Sequence, residues 1–187
     1  PATLTNIGEG MFAAFDKLEK YIVDPANPNY SSDANGILFN KDKTILLAYP
    51  KGRAGEYAIP SGVKRIGAQA FMQAAITKIT IPANLSEIGQ EAFREAKLTT
   101  VSFEEPSKIT DMEHLQFLWC YGLKTVTLPT SLKVLGCAFN GCTNLETVNV
   151  PNGAQLESIV ENAFTACDKL TNFNFLGSSK LKTIGNS

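Results

Sequence analysis

A regular spacing of phenylalanines constrains the fold of this chain more than any other feature of its sequence. Phe71, Phe93, Phe117, Phe139 and Phe164 are separated by 22, 24, 22 and 25 residues. The residue five positions before each of them is apolar, which gives the series Ile66, Ile88, Met112, Val134 and Ile159. A repeat of roughly 20 to 50 residues is the signature of proteins built from stacked copies of one unit. The sequence therefore predicts a solenoid.

A short apolar–polar–apolar segment follows each repeat phenylalanine, at residues 79–81, 101–103, 126–128, 148–150 and 173–175. A three-residue strand cannot bury its apolar side alone, but parallel copies about 4.8 Å apart can. The Ala–Phe pairs at 70–71 and 92–93 favour a short helical turn on the opposite side. The predicted fold class is an α/β repeat solenoid, with parallel strands on one face and helical turns or loops on the other.

The chain divides into three parts within one predicted domain, residues 1–187. Residues 1–23 are a degenerate first repeat with its strand at 21–23, and residues 24–57 are an insertion containing a β-hairpin, residues 37–39 and 44–49. Residues 58–187 hold the repeats, of which the last is incomplete. The segment 104–122 departs from the pattern, and Leu135 stands where the repeat leads us to expect glycine.

The segments IPSGVKRIGAQAF, IPANLSEIGQEAF and LPTSLKVLGCAFNGCTNL resemble the BspA-type leucine-rich repeat. Residues 27–52 also resemble a segment of that family in which a hairpin interrupts the repeats. The resemblance implies a right-handed, leucine-rich-repeat-like solenoid. It also implies an extracellular or cell-surface location, because such proteins are frequent on bacterial surfaces and several are implicated in adhesion.

The cysteines and the single histidine give little indication of chemistry. Cys120, Cys142 and Cys167 each follow a repeat phenylalanine by three residues, so we expect a row of core thiols. A disulfide between Cys137 and Cys142, or between cysteines of neighbouring repeats, remains an alternative. No CxxC pair, catalytic motif or phosphate-binding loop occurs in the sequence, so we expect no metal, no cofactor and no enzymatic activity.

The outward positions of the predicted strands form a candidate binding face. Its two rows are polar and, apart from one lysine, consist of Thr, Ser and Asn: Lys78, Thr80, Thr100, Ser102, Thr125, Thr127, Thr147, Asn149, Asn172 and Asn174. The alternative is that threonine and asparagine merely suit an exposed sheet. Trp119 and Tyr121, in the irregular repeat, are either interface anchors or residues that fill gaps in a broken pattern.

These features favour a non-enzymatic binding or adhesion module that recognises a host protein, matrix or another cell. The alternatives are a spacer within a larger surface protein and a glycan-binding module, with Trp119 beside Glu104, Glu105 or Glu113. A net charge of −1 gives no electrostatic footprint for nucleic acid, and no run of eighteen apolar residues predicts membrane insertion. The last strand and residues 181–184 form an open edge, where we expect either further residues beyond Ser187 or edge-to-edge contact with a second copy.

Overall fold

The computed structural model describes residues 1–8, 10–12 and 15–185. These residues form fifteen short strands and one 3-10 helix, Cys137–Phe139. The strands are β1 (Tyr30–Ser32), β2 (Leu38–Asn40), β3 (Ile45–Ala48), β4 (Gly55–Ala58), β5 (Arg65–Ile66), β6 (Ile76–Ile81), β7 (Glu87–Ile88), β8 (Thr100–Phe103), β9 (Asp111–Met112), β10 (Thr125–Thr127), β11 (Val134–Leu135), β12 (Thr147–Val150), β13 (Ser158–Ile159), β14 (Asn172–Phe175) and β15 (Thr183–Ile184).

The longer strands form the first wall of a solenoid, which we call the strand wall. They pair in parallel in two groups, β4–β6–β8 and β10–β12–β14. Residues one repeat apart face each other, as Ile79 faces Val101 and Val126 faces Val148. In β6, Ile79 and Ile81 are buried and Thr80 between them is half-buried, because successive side chains point to opposite faces of a strand. The predicted stack of parallel strands is confirmed.

The two-residue strands and the four-residue β3 form a second wall, again in parallel groups: β3–β5–β7 and β9–β11–β13–β15. Strand β3 comes from the predicted hairpin, since it pairs antiparallel with β2 and parallel with β5. The hairpin therefore supplies the edge on which the repeats stack.

The repeat phenylalanines lie in one column through the core, as their spacing predicts. Neighbouring ring centroids are 4.8 Å apart for Phe71 and Phe93, then 4.9, 5.3 and 6.0 Å along the column to Phe164. Tyr49 continues the column at the hairpin end, with its ring 4.9 Å from that of Phe71. Tyr49 precedes Phe71 by 22 residues, one repeat length, so the insertion contributes a rung that the phenylalanine series misses.

The predicted helical turns are wrong over most of the described residues, where only Cys137–Phe139 is helical. The reason is the backbone on either side of every repeat phenylalanine except Phe139: Gln69 and Gln73, which flank Phe71, have φ of 55° and 57°. A left-handed residue interrupts a right-handed helix. The amides then donate to the next repeat, as Phe71 N does to Ala92 O at 2.7 Å and Gln73 N to Arg94 O at 2.7 Å. This third wall, the turn wall, makes the fold a β-solenoid.

Two sequence assignments are corrected by the pairing of β11. Leu135, not Val134, faces Met112 and Ile159 and is buried. Gly136 occupies the expected glycine position, because its N–H donates to Met112 O at 2.8 Å, as Gly89 N donates to Ile66 O. The interval from Leu135 to Phe139 is thus one residue short, and the 3-10 helix occupies this shortened segment.

The strand predicted at residues 21–23 does not form. Tyr21 N instead makes a hydrogen bond to Gly36 O at 2.8 Å, and the ring of Phe12 packs 4.9 Å from that of Tyr21. The side-chain amide of Asn27, which is 1% exposed, donates to Pro1 O and Leu4 O and holds the first residues against the hairpin. The division of the chain at residues 23 and 57 stays a prediction.

Candidate functional site: the strand wall and its seam

The outward residues of the strand wall lie in register, in two groups. In the first, Lys78 faces Thr100 and Thr80 faces Ser102. In the second, two rows cross three strands: Thr125, Thr147, Asn172 and Thr127, Asn149, Asn174. The structure therefore brings the predicted strand-face residues together within each group.

Side-chain hydrogen bonds run along one of these rows. Asn174 Nδ2 donates to Asn149 Oδ1 at 3.0 Å, and Asn149 Nδ2 donates to Thr127 Oγ1 at 3.4 Å. Lys78 Nζ lies 3.2 Å from Glu56 Oε2. These bonds order the exposed side chains, as expected of cross-strand pairs on a sheet.

The strand wall is interrupted between β8 and β10. Among the described strands, β8 pairs only with β6 and β10 only with β12, although Cα atoms of β8 and β10 approach within 8 Å. No other strand lies between them, because a strand needs about 4.8 Å on either side. We call this interruption the seam. The sequence does not reveal the seam, since Val101-Ser102-Phe103 follows the regular strand pattern.

The pairing on either side of the seam shows which main-chain groups face it. Glu104 N donates back to Ile81 O at 2.9 Å, and successive residues of a strand turn their N–H and C=O to opposite sides. The N–H and C=O of Val101 and Phe103 therefore face β10. Leu128 N donates onward to Asn149 O at 3.0 Å, so the corresponding groups of Thr125 and Thr127 face β8.

A groove of about 610 Å³ lies over the seam. Its rims carry the outward side chains of Thr100, Ser102, Thr125 and Thr127. Val101 and Phe103, whose side chains turn toward the core, also line the groove, so β8 borders it along its length.

The groove has opposite charges at its two ends, Lys124 before β10 and Glu105 after β8. The Glu105 carboxylate accepts hydrogen bonds from Thr130 N at 2.8 Å, Thr130 Oγ1 at 2.6 Å and Ser107 N at 2.8 Å. Burial raises the pKa of this carboxyl, but the hydrogen bonds outweigh burial and hold its pKa below the usual value. Glu105 thus ties the loop after β8 to the following repeat and remains negatively charged at neutral pH.

The second wall is interrupted at the same repeat, between β7 and β9 of the described strands. There the side chain of Gln116, 1% exposed, bridges the gap. Its Nε2 donates to Ile88 O at 3.4 Å, and its Oε1 accepts from His114 N at 3.1 Å. The role of Gln116 was not predicted. The sequence marks this position only by a glutamine directly before the repeat phenylalanine, where the other repeats have alanine: Ala70, Ala92, Ala138 and Ala163.

Trp119 and Tyr121 lie away from the strand wall. Trp119 N donates to Asn140 O at 2.9 Å on the turn wall. The Arg94 guanidinium lies 4.7 Å from the Trp119 ring, and Arg94 also pairs with Glu91 and Glu95 at 3.2 Å each. Trp119 therefore contacts adjacent repeats at the seam level, but it is 36% exposed and Tyr121 is 46% exposed. The choice between interface anchors and gap-filling residues stays a prediction. Glu105, which a glycan-binding site would place beside Trp119, makes hydrogen bonds with Thr130.

The cysteines form the predicted row of core thiols. Cys120, Cys142 and Cys167 are buried and donate to the carbonyl oxygens of Phe93, Phe117 and Phe139 at 3.1, 3.2 and 3.2 Å. Burial raises the pKa of Cys142 to about 12 and that of Cys167 to about 11. All four cysteines are free thiols, so the alternative disulfides do not form. The described residues hold no group of three or more His, Cys, Asp or Glu side chains placed to bind a metal ion.

The edge strands β14 and β15 carry exposed apolar side chains. Phe175 is 42% exposed, Leu176, directly after β14, 59% and Ile184 71%.

Among the described residues, no helix has the length and hydropathy to cross a membrane.

Comparisons with known proteins agree with this architecture. The sequence model of the BspA type leucine-rich repeat region matches residues 51–152 and 117–187, in six copies. A comparison with curated proteins found no match.

Similar solved structures include three bacterial surface or repeat proteins. A leucine-rich repeat protein from Eubacterium ventriosum is 26% identical with a TM-score of 0.75, over 99% of this chain and 55% of that one. A leucine-rich cell surface protein from Faecalibacterium prausnitzii is 30% identical with a TM-score of 0.66, over 80% of this chain and 38% of that one. The pneumococcal vaccine antigen PcpA, 21% identical, shares the fold over 100% of this chain and 55% of its own, with a TM-score of 0.76.

The chain spans about half the length of the first of these proteins and less of the second. The family match covers well over half of the residues, including every repeat phenylalanine. It agrees with the phenylalanine column and the glycine-to-carbonyl bonds of the second wall. The chain belongs to the BspA-type leucine-rich repeat family.

Proposed function

We propose that this chain is a non-enzymatic extracellular binding module that recognises a protein partner through its strand wall. The single observation that supports the proposal best is the alignment of outward polar side chains in register on that wall. An extended face of this kind is the usual binding surface of a solenoid. The extracellular location is supported by the cell-surface protein of Faecalibacterium prausnitzii, which has the same fold.

The ordering of the face supports binding. Asn174, Asn149 and Thr127 hold one another in place, so a partner immobilises fewer free rotamers when it docks. The face is polar on both sides of the seam, with Thr125 and Thr127 exposed and Ser102 and Thr147 half-buried. An extended polar face suits a protein partner better than a small molecule, whose sites are mostly apolar and enclosed.

The second candidate function is a spacer within a longer surface protein. It is favoured because the chain covers only 55% of a similar repeat protein. The same asparagine and threonine bonds serve a spacer by satisfying the face internally. A glycan-binding module is less well supported, because Arg94 covers Trp119 and the expected carboxylate of Glu105 is engaged elsewhere.

A binding screen with immobilised host matrix proteins tests the proposal. The variant carries Thr80→Asp, Thr127→Asp and Asn149→Asp together, which adds three negative charges to the face. We expect it to lose binding while its circular dichroism spectrum stays unchanged. The matched control adds three negative charges elsewhere through Ser86→Asp, Gln90→Glu and Asn162→Asp, and it should bind normally. Binding that survives the first variant would contradict the proposal.

A further inference from the structure

We propose that the seam groove binds an extended segment of the partner protein, parallel to β8 and β10. The segment carries an acidic residue beside Lys124 and a basic residue beside Glu105. This inference rests on the proposed function and deepens it, since it names the part of the partner that docks and the place where it does so.

The main chain of the seam matches an extended polypeptide. Val101 and Phe103 present N–H and C=O groups at every second residue along one side, and Thr125 and Thr127 do so along the other. Extended peptides bind to unpaired strand edges through this pattern of main-chain hydrogen bonds. A glycan has no repeating donor and acceptor at that spacing.

The interruption is closed by a side chain in the second wall and stays open in the strand wall. In the second wall, the buried amide of Gln116 bridges Ile88 and His114, so that gap is filled by the chain itself. In the strand wall, the gap between β8 and β10 opens into the groove. The open gap is the one that lies within the proposed binding face.

A segment lying between the two strands requires them to move apart. Cα atoms of β8 and β10 come within 8 Å, whereas an intervening strand needs about 9.6 Å, twice the usual strand spacing. The turn wall stays bonded across this level, through Glu91 N to His114 O at 3.0 Å and Phe93 N to Gln116 O at 2.8 Å. It can therefore act as the hinge for a small opening of the strand wall.

The charges at the groove ends give the segment its direction and length. Lys124 precedes β10 and Glu105 follows β8, so positive charge lies at the start of the strands and negative charge at their end. Strand β8 spans four residues, about 13 Å. A segment that continues the parallel pairing places its acidic residue first and its basic residue about five positions later. The rim hydroxyls of Thr100 and Ser102 favour polar side chains between them.

Amide hydrogen exchange of the 15N-labelled protein tests this inference. The probes are two pools of blocked hexapeptides, one with Asp or Glu first and Lys or Arg last, the other with those ends exchanged. At roughly millimolar concentration, we expect the acidic-first pool to slow exchange at Val101, Phe103, Thr125 and Thr127 by about tenfold. The basic-first pool should slow it less.

A charge reversal tests the orientation. Lys124→Glu should weaken binding of the acidic-first pool by about fivefold, the upper range for an exposed ion pair, and a pool with basic residues at both ends should restore it. The control Lys64→Glu reverses an exposed lysine outside the groove and should change nothing. Equal binding of the two pools, or indifference to Lys124→Glu, would overturn the inference.

The result also separates this inference from the proposed function. Loss of matrix-protein binding in the strand-wall triple variant, with no peptide protecting the seam amides, would keep the strand wall as the binding surface and reject the extended segment. Retention of matrix-protein binding in that variant would reject the proposed function itself.

Discussion

At the scale of single residues, Gln116 shows how one side chain repairs an interrupted backbone ladder. In the regular repeats a main-chain N–H donates to the carbonyl of the preceding repeat, as Gly89 N does to Ile66 O at 2.9 Å. At Ile88 the donor is the Gln116 amide. The side chain lies in the core, where an unpaired polar group is costly.

We expect Gln116→Ala to destabilise the protein, even though alanine is the residue of the other repeats at this position. The change leaves Ile88 O and His114 N without the Gln116 side chain, at a cost of about 1–3 kcal/mol. Urea denaturation measures the difference. The exposed Gln90→Ala is the control and should be neutral; an unchanged or higher stability of Gln116→Ala would show that the bridge does not support the fold.

The buried thiols make stability depend on pH in the alkaline range. The folded pKa values of Cys142 and Cys167, about 12 and about 11, lie above the ordinary value of 9.0 because burial disfavours the thiolate. Their contribution to the free energy of unfolding is therefore fully present below pH 9.0. It is lost as the pH rises toward 11–12, because the unfolded state releases the thiol protons at lower pH than the folded state.

The variant Cys142→Ala tests this pH dependence. Alanine already occupies the equivalent position of an earlier repeat, Ala96, three residues after its phenylalanine. The free energy of unfolding should fall less steeply between pH 9 and 11 in this variant than in the parent, because one titrating thiol is removed. All other residues are identical in the two proteins, so the comparison isolates this one thiol. Parallel pH curves for the two proteins would contradict the assignment.

At the scale of elements, the aromatic column holds the repeats together. Phe93 is fully buried between Phe71 and Phe117, with ring centroids 4.8 and 4.9 Å away. We expect Phe93→Ala to cost about 3–5 kcal/mol, because it removes a large core side chain and leaves a cavity. The exposed Phe15→Ala should cost less than about 0.5 kcal/mol. Thermal denaturation compares them, and similar losses would contradict the column.

Tyr49 offers a complementary test at the hairpin end of the column. Its ring stacks on Phe71, and its hydroxyl is buried near the Arg53 guanidinium without a hydrogen bond of good geometry among the described residues. We expect Tyr49→Phe to stabilise the protein by up to about 1 kcal/mol, since it removes an unpaired polar atom and keeps the ring. The readout is the urea midpoint. A clear loss of stability would show that the hydroxyl is bonded in solution.

The elements also show how far the sequence predicts this structure. The phenylalanine spacing predicted the column and the parallel strands, because one stack satisfies every repeat at once. The hairpin rung was missed because it has Tyr49 in place of phenylalanine, three residues after Leu46 instead of five. The helical turns were wrong because the Ala–Phe pattern does not reveal the positive φ of Gln69 and Gln73.

The candidate site was predicted less completely than the fold. The outward rows were placed on one wall correctly, since strand alternation determines them. The seam was not predicted, because Thr100–Phe103 and Thr125–Thr127 each follow the repeat pattern and the interruption is a property of their pairing. Only Gln116 at an alanine position marks it in the sequence. The role of Trp119 as an anchor or a gap-filling residue stays a prediction, since its ring lies 4.7 Å from the Arg94 guanidinium but is 36% exposed.

At the scale of the whole molecule, the solenoid consists of two bonded stacks joined at one level. Both the strand wall and the second wall are interrupted there, while the turn wall and the phenylalanine column continue through it. Side-chain contacts that support the join include Gln116 with Ile88, Arg94 with Trp119, Glu105 with Thr130, and Cys120 with Phe93 O. A repeat protein of this kind has a local weak point, since each repeat is stabilised by its neighbours.

Residue-resolved amide hydrogen exchange of the free protein tests this account most directly. The Ile81 amide faces β8 within a paired ladder and should exchange slowly, whereas the Phe103 amide faces the open groove and should exchange near the rate of an unprotected amide. The amide of Thr127 should exchange about as fast as that of Phe103, and the amide of Val148 about as slowly as that of Ile81. Equal protection of Phe103 and Ile81 would show that β8 pairs with β10 in solution, and the seam, with the binding site built on it, would not exist.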